Sequence, residues 1–120
     1  MRLVHRHGGR ERVLATRVET ADSVLAKARG LMFRRSVLDD YALVFRFDAP
    51  TTRSLHMVFV PFSIDALWLI EGEVTRKRRL RAWTGLGWGT ADAIVELPAG
   101  AADGVEEGDV VRLEGARESG

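Results

Sequence analysis

The sequence predicts a mainly β domain with a minor α component: a compact β-sandwich or barrel-like sheet of about eight short strands with one short helix near 21–30. Three observations predict it. Apolar stretches of strand length recur along the chain, separated by Gly, Pro and Asp. A helical period appears only in Ala21–Arg29. The longest apolar stretch, Leu55–Ile70, is divided by Pro61, which cannot donate to a ladder, so it reads as two strands.

Taken in order, Leu3–His7 and Glu11–Val18 flank Gly8-Gly9, a pair that accepts positive φ twice and suits a tight hairpin turn. Val13, Ala15 and Val18 are expected to face inward. Thr20 or Asp22 can cap a helix of about two turns with Val24, Leu25 and Ala28 on one face and Gly30 as its stop. After a turn near Asp39-Asp40, Tyr41–Phe47 alternates, with Leu43, Phe45 and Phe47 on one side and Arg46 on the other. Asp48-Ala49-Pro50 is expected to end that strand, and Leu55–Val60, apolar on both faces apart from His56, to form an interior strand.

Ile64–Ile70 follows Pro61 as the next strand. Glu71-Gly72 turns the chain into Val74–Leu80, where Arg76 and Arg78 alternate with Lys77 and Arg79; neither face is clearly apolar, so this is an edge or exposed strand. Trp83–Gly89, with Gly85, Gly87 and Gly89 at every second position, reads as a loop. Ala93–Leu97 is a strand ended by Pro98, Ala99–Glu107 is short-helical or irregular, and Val110–Leu113 follows the Gly108-Asp109 turn. One domain over 1–115 results, with 116–120 as a frayed tail.

Composition narrows the function classes. The 120 residues are 46% hydrophobic and 29% charged, the profile of one globular domain. Cysteine is absent, which excludes disulfides, thiolate metal sites and a cysteine nucleophile. A formal charge of +1 argues against nucleic acid or an anionic membrane as partner. The amino terminus has no apolar signal region, and Leu55–Ile70 carries His56, Pro61, Ser63 and Asp65 and falls short of the ~20 apolar residues of a spanning helix. A cytoplasmic protein with no membrane span and no cofactor is the expectation.

Asp65 poses the main question, because a carboxylate between Ile64 and Ala66-Leu67-Trp68 costs several kcal/mol unless it is paired or protonated. It is either a general base or ligand-binding carboxylate at the mouth of a pocket, or a structural one, held by Arg29 or by backbone N–H groups. His56 could shuttle protons with Asp65 across adjacent antiparallel strands, or rest as a hydrogen-bonded core histidine. Glu96 could form an acid/base pair with Asp65, or accept the backbone donors of the Ala99–Gly100 turn. His5 and His7 share a strand face and could chelate, but lack a third ligand nearby in sequence. The glycine series has neither the spacing nor the following helix of a phosphate loop; Trp83 and Trp88 on a mobile loop suggest a lid over a ligand.

The signals Ala28-Arg29-Gly30-Leu31-Met32, His56-Met57 followed by Ile64-Asp65, Gly72 with Val74, Glu96-Leu97-Pro98-Ala99-Gly100 and Gly108-Asp109 occur in this order. The series resembles the family called domain of unknown function 192, over about Ala28 to Leu113. Two departures stand out: His56 where many relatives carry tryptophan, and Ser63 where many carry proline. The resemblance implies a compact, mainly β domain with a short helix, and no established activity.

The leading expectation is a non-enzymatic binding module for a polar small molecule or a protein partner, with a groove bounded by Arg29, His56, Asp65, Trp83, Trp88 and Glu96. One alternative is single-stranded nucleic-acid binding through Arg76, Lys77, Arg78, Arg79 and Arg81, with Trp83 stacking. Another is a hydrolase-like enzyme using Asp65, His56 and Glu96, which lacks a recognisable nucleophile motif.

Overall fold

Gly8 and Gly9 both adopt positive φ, 57° and 80°, and between them reverse the chain as a tight hairpin. In this computed structural model, which describes residues 1–21, 30–32 and 34–115, they join β1 (Arg2–His7) to β2 (Arg10–Ala15). Six strands follow: β3 (Arg17–Ala21), β4 (Tyr41–His56), β5 (Ile64–Ile70), β6 (Glu73–Leu80), β7 (Leu86–Pro98) and β8 (Val110–Glu114). They form one sheet in the order β2-β1-β8-β6-β5-β7-β4-β3. All pairings are antiparallel except that of β3 with β4. The expected helix falls on residues that lie outside the described ones, apart from Ala21, which ends β3, and Gly30, which is in a turn.

The period-2 alternation of strands creates two cores. All eight strands contribute side chains to the first, including Leu3, Leu14, Val18, Val44, Leu67, Val74, Val95 and Val111. A sheet can converge on one cluster from every strand only by curling around it, and the fold is accordingly barrel-like. Its edge strands β2 and β3 are separated by Thr16 alone, where the amides of Thr16 and Arg17 both donate to the Asp40 carbonyl (2.9 and 3.0 Å). The second core lies on the outer face of β4, β5 and β7, where Leu43, Phe45, Ile64, Ala66, Trp68 and Ile94 are covered by Leu31, Met57 and Val60.

Four strand expectations are corrected. Val13 is 44% exposed, because a bulge between its pairing and that of Leu3 turns Leu14 inward in its place, while Ala15 is buried as expected. Asp48-Ala49-Pro50 does not end the strand. β4 runs through it at a register shift between Arg46 and Thr51, where the missing N–H of Pro50 breaks no ladder bond. Leu55–Val60 is not an interior strand: Leu55 and His56 close β4, and Met57–Val60 is a turn in which the Val60 amide donates to the Met57 carbonyl at 3.0 Å. Trp83–Gly89 is not one loop either, since Leu86–Gly89 belong to β7 and pair with Arg53–His56.

The glycine series has a packing cause. A Cβ on Gly89 would lie 2.9 Å from Cγ of Trp68, and one on Gly87 3.1 Å from Cη2 of the same indole. Trp68 lies flat against this stretch of backbone, with its Nε1–H donating to the Arg53 carbonyl at 3.0 Å. A Cβ on Gly85 would come within 2.7 Å of the Arg81 backbone. The far halves of β4 and β7 thereby fold over the outer core. β6 lies between β8 and β5 and so is not at the edge of the sheet as expected, but it meets β8 at one register pair only, Glu73 with Val110.

Candidate functional site

Asp65 opposes Leu97 across β5 and β7, whereas Ala66 opposes Glu96. Directly opposed residues share a face, so Asp65 points to the side of Leu97, in the inner core, and Glu96 to the side of Ala66, in the outer core. The two carboxyl groups therefore lie on opposite faces of the sheet and form no pair.

Asp65 is 1% exposed and fully partnered. Arg79 Nε donates to Oδ1 at 2.6 Å, and the amides of Gly100 and Ala102 donate to Oδ2 at 2.9 and 3.0 Å. Arg79 also reaches Asp103 at 3.2 Å. This carboxylate ties the loop after β7 to the β5–β6 hairpin, which is the backbone-donor role anticipated for a structural aspartate. Its cation is Arg79; Arg29, the expected one, lies outside the described residues. The amides of the turn after Pro98 go to Asp65 and not, as expected, to Glu96.

Glu96 is 5% exposed, and its Oε1 has no hydrogen-bond partner among the described residues. Burial raises its pKa from 4.5 to about 7, with the positive field of Arg34 pulling the other way. The reason it is unpartnered is visible nearby. Arg34 donates to Glu19 at 2.8 Å and the Tyr41 hydroxyl donates to Glu19 at 2.5 Å, so both polar neighbours are turned away from it. Glu96 instead lines a cavity of about 170 Å³, with Leu31, Phe45, Met57 and Ile64 as apolar wall and Ser54 and His56 also at its boundary. Gly30 closes one side; a Cβ there would meet Phe45 at 3.3 Å and Glu96 Oε1 at 3.8 Å.

The other expected site residues divide. His56 shares the Glu96 cavity, but it is exposed rather than a core residue, and its Nδ1 accepts the Val58 amide at 3.2 Å. It does not sit across from Asp65, because β7 separates β4 from β5. Asp65, His56 and Glu96 thus do not converge as a hydrolytic constellation requires. Trp83, at φ 67°, and Trp88 are exposed outside the cavity wall. Arg76 stacks over Trp88 at 5.9 Å, Lys77 donates to the Val105 carbonyl at 3.0 Å and Arg79 holds Asp65, while Arg78 and Arg81 complete the basic strand.

Two features escaped the sequence reading. Arg79 was findable in principle: a two-residue Glu71-Gly72 hairpin places residue 78 or 79 across from Asp65, and the bulge beside Trp68 and Leu69 selects 79. The second is Asp109, which completes the His5–His7 pair: its carboxylate meets His5 Nε2 at 2.7 Å, His7 Nδ1 at 2.5 Å and the Glu106 amide at 2.9 Å. Arg12 Nε donates to His5 Nδ1, which makes Nε2 the donor to Asp109. Burial opposes the charge on Asp109, yet these bonds outweigh it and bring its pKa down to about 2. His7 is raised by its bond to Asp109. Among the described residues no cluster of three or more His, Asp or Glu is arranged to hold a metal ion, and no helix is long and apolar enough to cross a membrane.

Comparison with known proteins places this geometry. A family model described as DUF192, Uncharacterized ACR, matches residues 4–113. A UPF0127 protein of Thermococcus sibiricus is 37% identical over 109 residues, covering 86% of this chain and 70% of that protein. A UPF0127 protein of Thermococcus kodakarensis is 34% identical over 105 residues, covering 79% of this chain and 63% of that one. A crystal structure described as a "putative transcription regulator" from Sinorhizobium meliloti 1021 has a TM-score of 0.81 at 23% identity, covering 92% of this chain and 91% of that one. A protein of unknown function from Novosphingobium aromaticivorans has a TM-score of 0.81 at 22% identity, with 93% and 84% covered. These two likenesses show the fold.

Proposed function

The chain belongs to the uncharacterised DUF192 family, and from that premise we propose that it is a non-enzymatic binding domain whose ligand is a small molecule. The ligand occupies the cavity lined by Glu96, beside the end of β4 at Ser54–His56. One observation carries this reading: Glu96 Oε1 is buried without a partner among the described residues and borders a space no described side chain fills. An unsatisfied buried polar group costs about 1–3 kcal/mol, and a ligand that satisfies it recovers that cost on binding. The cavity, about 170 Å³, compares with the roughly 150 Å³ cavity that admits benzene, so the ligand is ring-sized.

Asp65 supports the reading indirectly. Its bonds hold the loop after β7 and so fix the strand end that carries Glu96. The basic strand offers less support for nucleic acid, because Lys77 and Arg79 are engaged in contacts within the fold.

The test is methyl NMR of the methionine- and isoleucine-labelled chain with benzyl alcohol, benzylamine and butyrate as probes. Saturable shifts at Met57 and Ile64 are expected with at least one probe. Ser54→Phe, which places a ring at the cavity boundary, should weaken them. Silence of those methyls towards all three probes would overturn the proposal.

A further inference from the structure

We infer that the cavity selects a small primary amine, its ammonium group meeting the unpartnered Oε1 of Glu96 and its hydrocarbon body lying among Leu31, Phe45, Met57 and Ile64. The inference rests on the binding reading above and adds the chemical class.

The groups around Glu96 favour a cation. From the segment after Leu31, Arg34 faces it electrostatically, but its guanidinium is bonded to Glu19. From β4, Tyr41 lies within reach of its field, with the hydroxyl committed to Glu19, and His56 borders the same cavity. From β5, the residues on its face are Ile64, Ala66 and Trp68, none ionisable. Among the described residues, then, no donor occupies Oε1, and an ammonium group brings three. Apart from Ser54 at its boundary, the remaining wall is mostly hydrocarbon with one aromatic ring, Phe45, whose face can also attract a cation.

Protonation sets the sign. With its pKa at about 7, Glu96 is mostly ionised above neutrality and mostly a neutral acid below pH 6. An amine cation gains from the ionised form, so its affinity rises with pH until the amine itself titrates. A carboxylic acid or carbonyl ligand would gain from the neutral form and show the opposite slope.

The experiment is a calorimetric or NMR titration of the intact chain with benzylamine, benzyl alcohol and benzoate at pH 8.5 and pH 5.5. Benzylamine should bind at pH 8.5 at least tenfold more tightly than at pH 5.5, and more tightly than benzyl alcohol, whose affinity should not depend on pH. Glu96→Gln should reduce benzylamine to the affinity of the alcohol and remove the pH dependence. The wild-type pH profile stands as a test even if that variant folds poorly. Equal affinity for amine and alcohol, or tighter binding of benzoate at pH 5.5, would overturn the amine while leaving a binding cavity. Failure of every probe to bind would overturn both.

Discussion

Asp65 and Glu96 stand one step out of register on adjacent strands, and that step gives them opposite environments. Asp65 accepts three donors within 3.0 Å, two of them amides of the loop after β7. Asp65→Ala would leave those amides buried without an acceptor and should cost about 3 kcal/mol or more in urea unfolding. Arg79→Ala should cost less, because Arg79 is half exposed and the amides retain their acceptor. Equal losses in the two variants would mean that the ion pair, and not the loop, is what Asp65 serves. Glu96 makes a different prediction. Its folded pKa lies above the unfolded value, so its stability contribution is complete below pH 4.5 and is lost as pH rises through about 7. The difference amounts to roughly 3 kcal/mol. His7, also raised, loses its contribution in the same direction, so the wild-type slope is shared. Glu96→Gln should therefore flatten the decline between pH 5 and 8 without abolishing it; an unchanged slope would show that Glu96 does not titrate as its burial requires.

At the scale of the element, Trp68 explains more of the chain than any motif. Its indole needs a strand without side chains on one face, and Gly87 and Gly89 supply it. Gly89→Ala should destabilise by about 1–3 kcal/mol through overpacking and shift the tryptophan emission; a neutral result would show that Trp68 moves aside freely. This pattern was visible in the sequence as alternate glycines, but it is silent about the partner, which is brought in from β5 and not from a neighbour in sequence. The hairpin at Gly8-Gly9, the break at Pro61 and the final strand after Gly108-Asp109 were legible because each depends on local backbone chemistry. The continuity of β4 was not. Pro50 ends a strand only where its nitrogen must donate, and here it falls in the register shift between Arg46 and Thr51. Likewise Glu96 could be singled out as a carboxylate near an apolar run, while the face it takes depends on its pairing with Ala66, a long-range fact.

Across the whole molecule the sheet has one narrow seam. β2, β1 and β8 join the remaining strands through β6, at the single pair of Glu73 with Val110. Flanking it, the Val74 amide donates to the Asp109 carbonyl and the Gly108 amide to the Val74 carbonyl (2.8 Å each). Asp109 stands at this seam, and its carboxylate binds His5 and His7 of β1 and the Glu106 amide. One side chain thus clamps the turn before β8 to the strand beyond it. Removing it should loosen the small half of the sheet before the large one, because β4, β5 and β7 are held by long ladders of their own. In Asp109→Ala, hydrogen-exchange protection is expected to fall in β1 and β8 while the amides of β5 and β7 keep theirs. Acid should act alike: the folded pKa of Asp109 lies below 3.8, so its contribution is present above that pH and is lost as pH falls towards about 2. Protection lost uniformly across all eight strands would instead mean that the sheet opens as one unit, and that the curl around the inner core, more than the clamp, holds the two halves together.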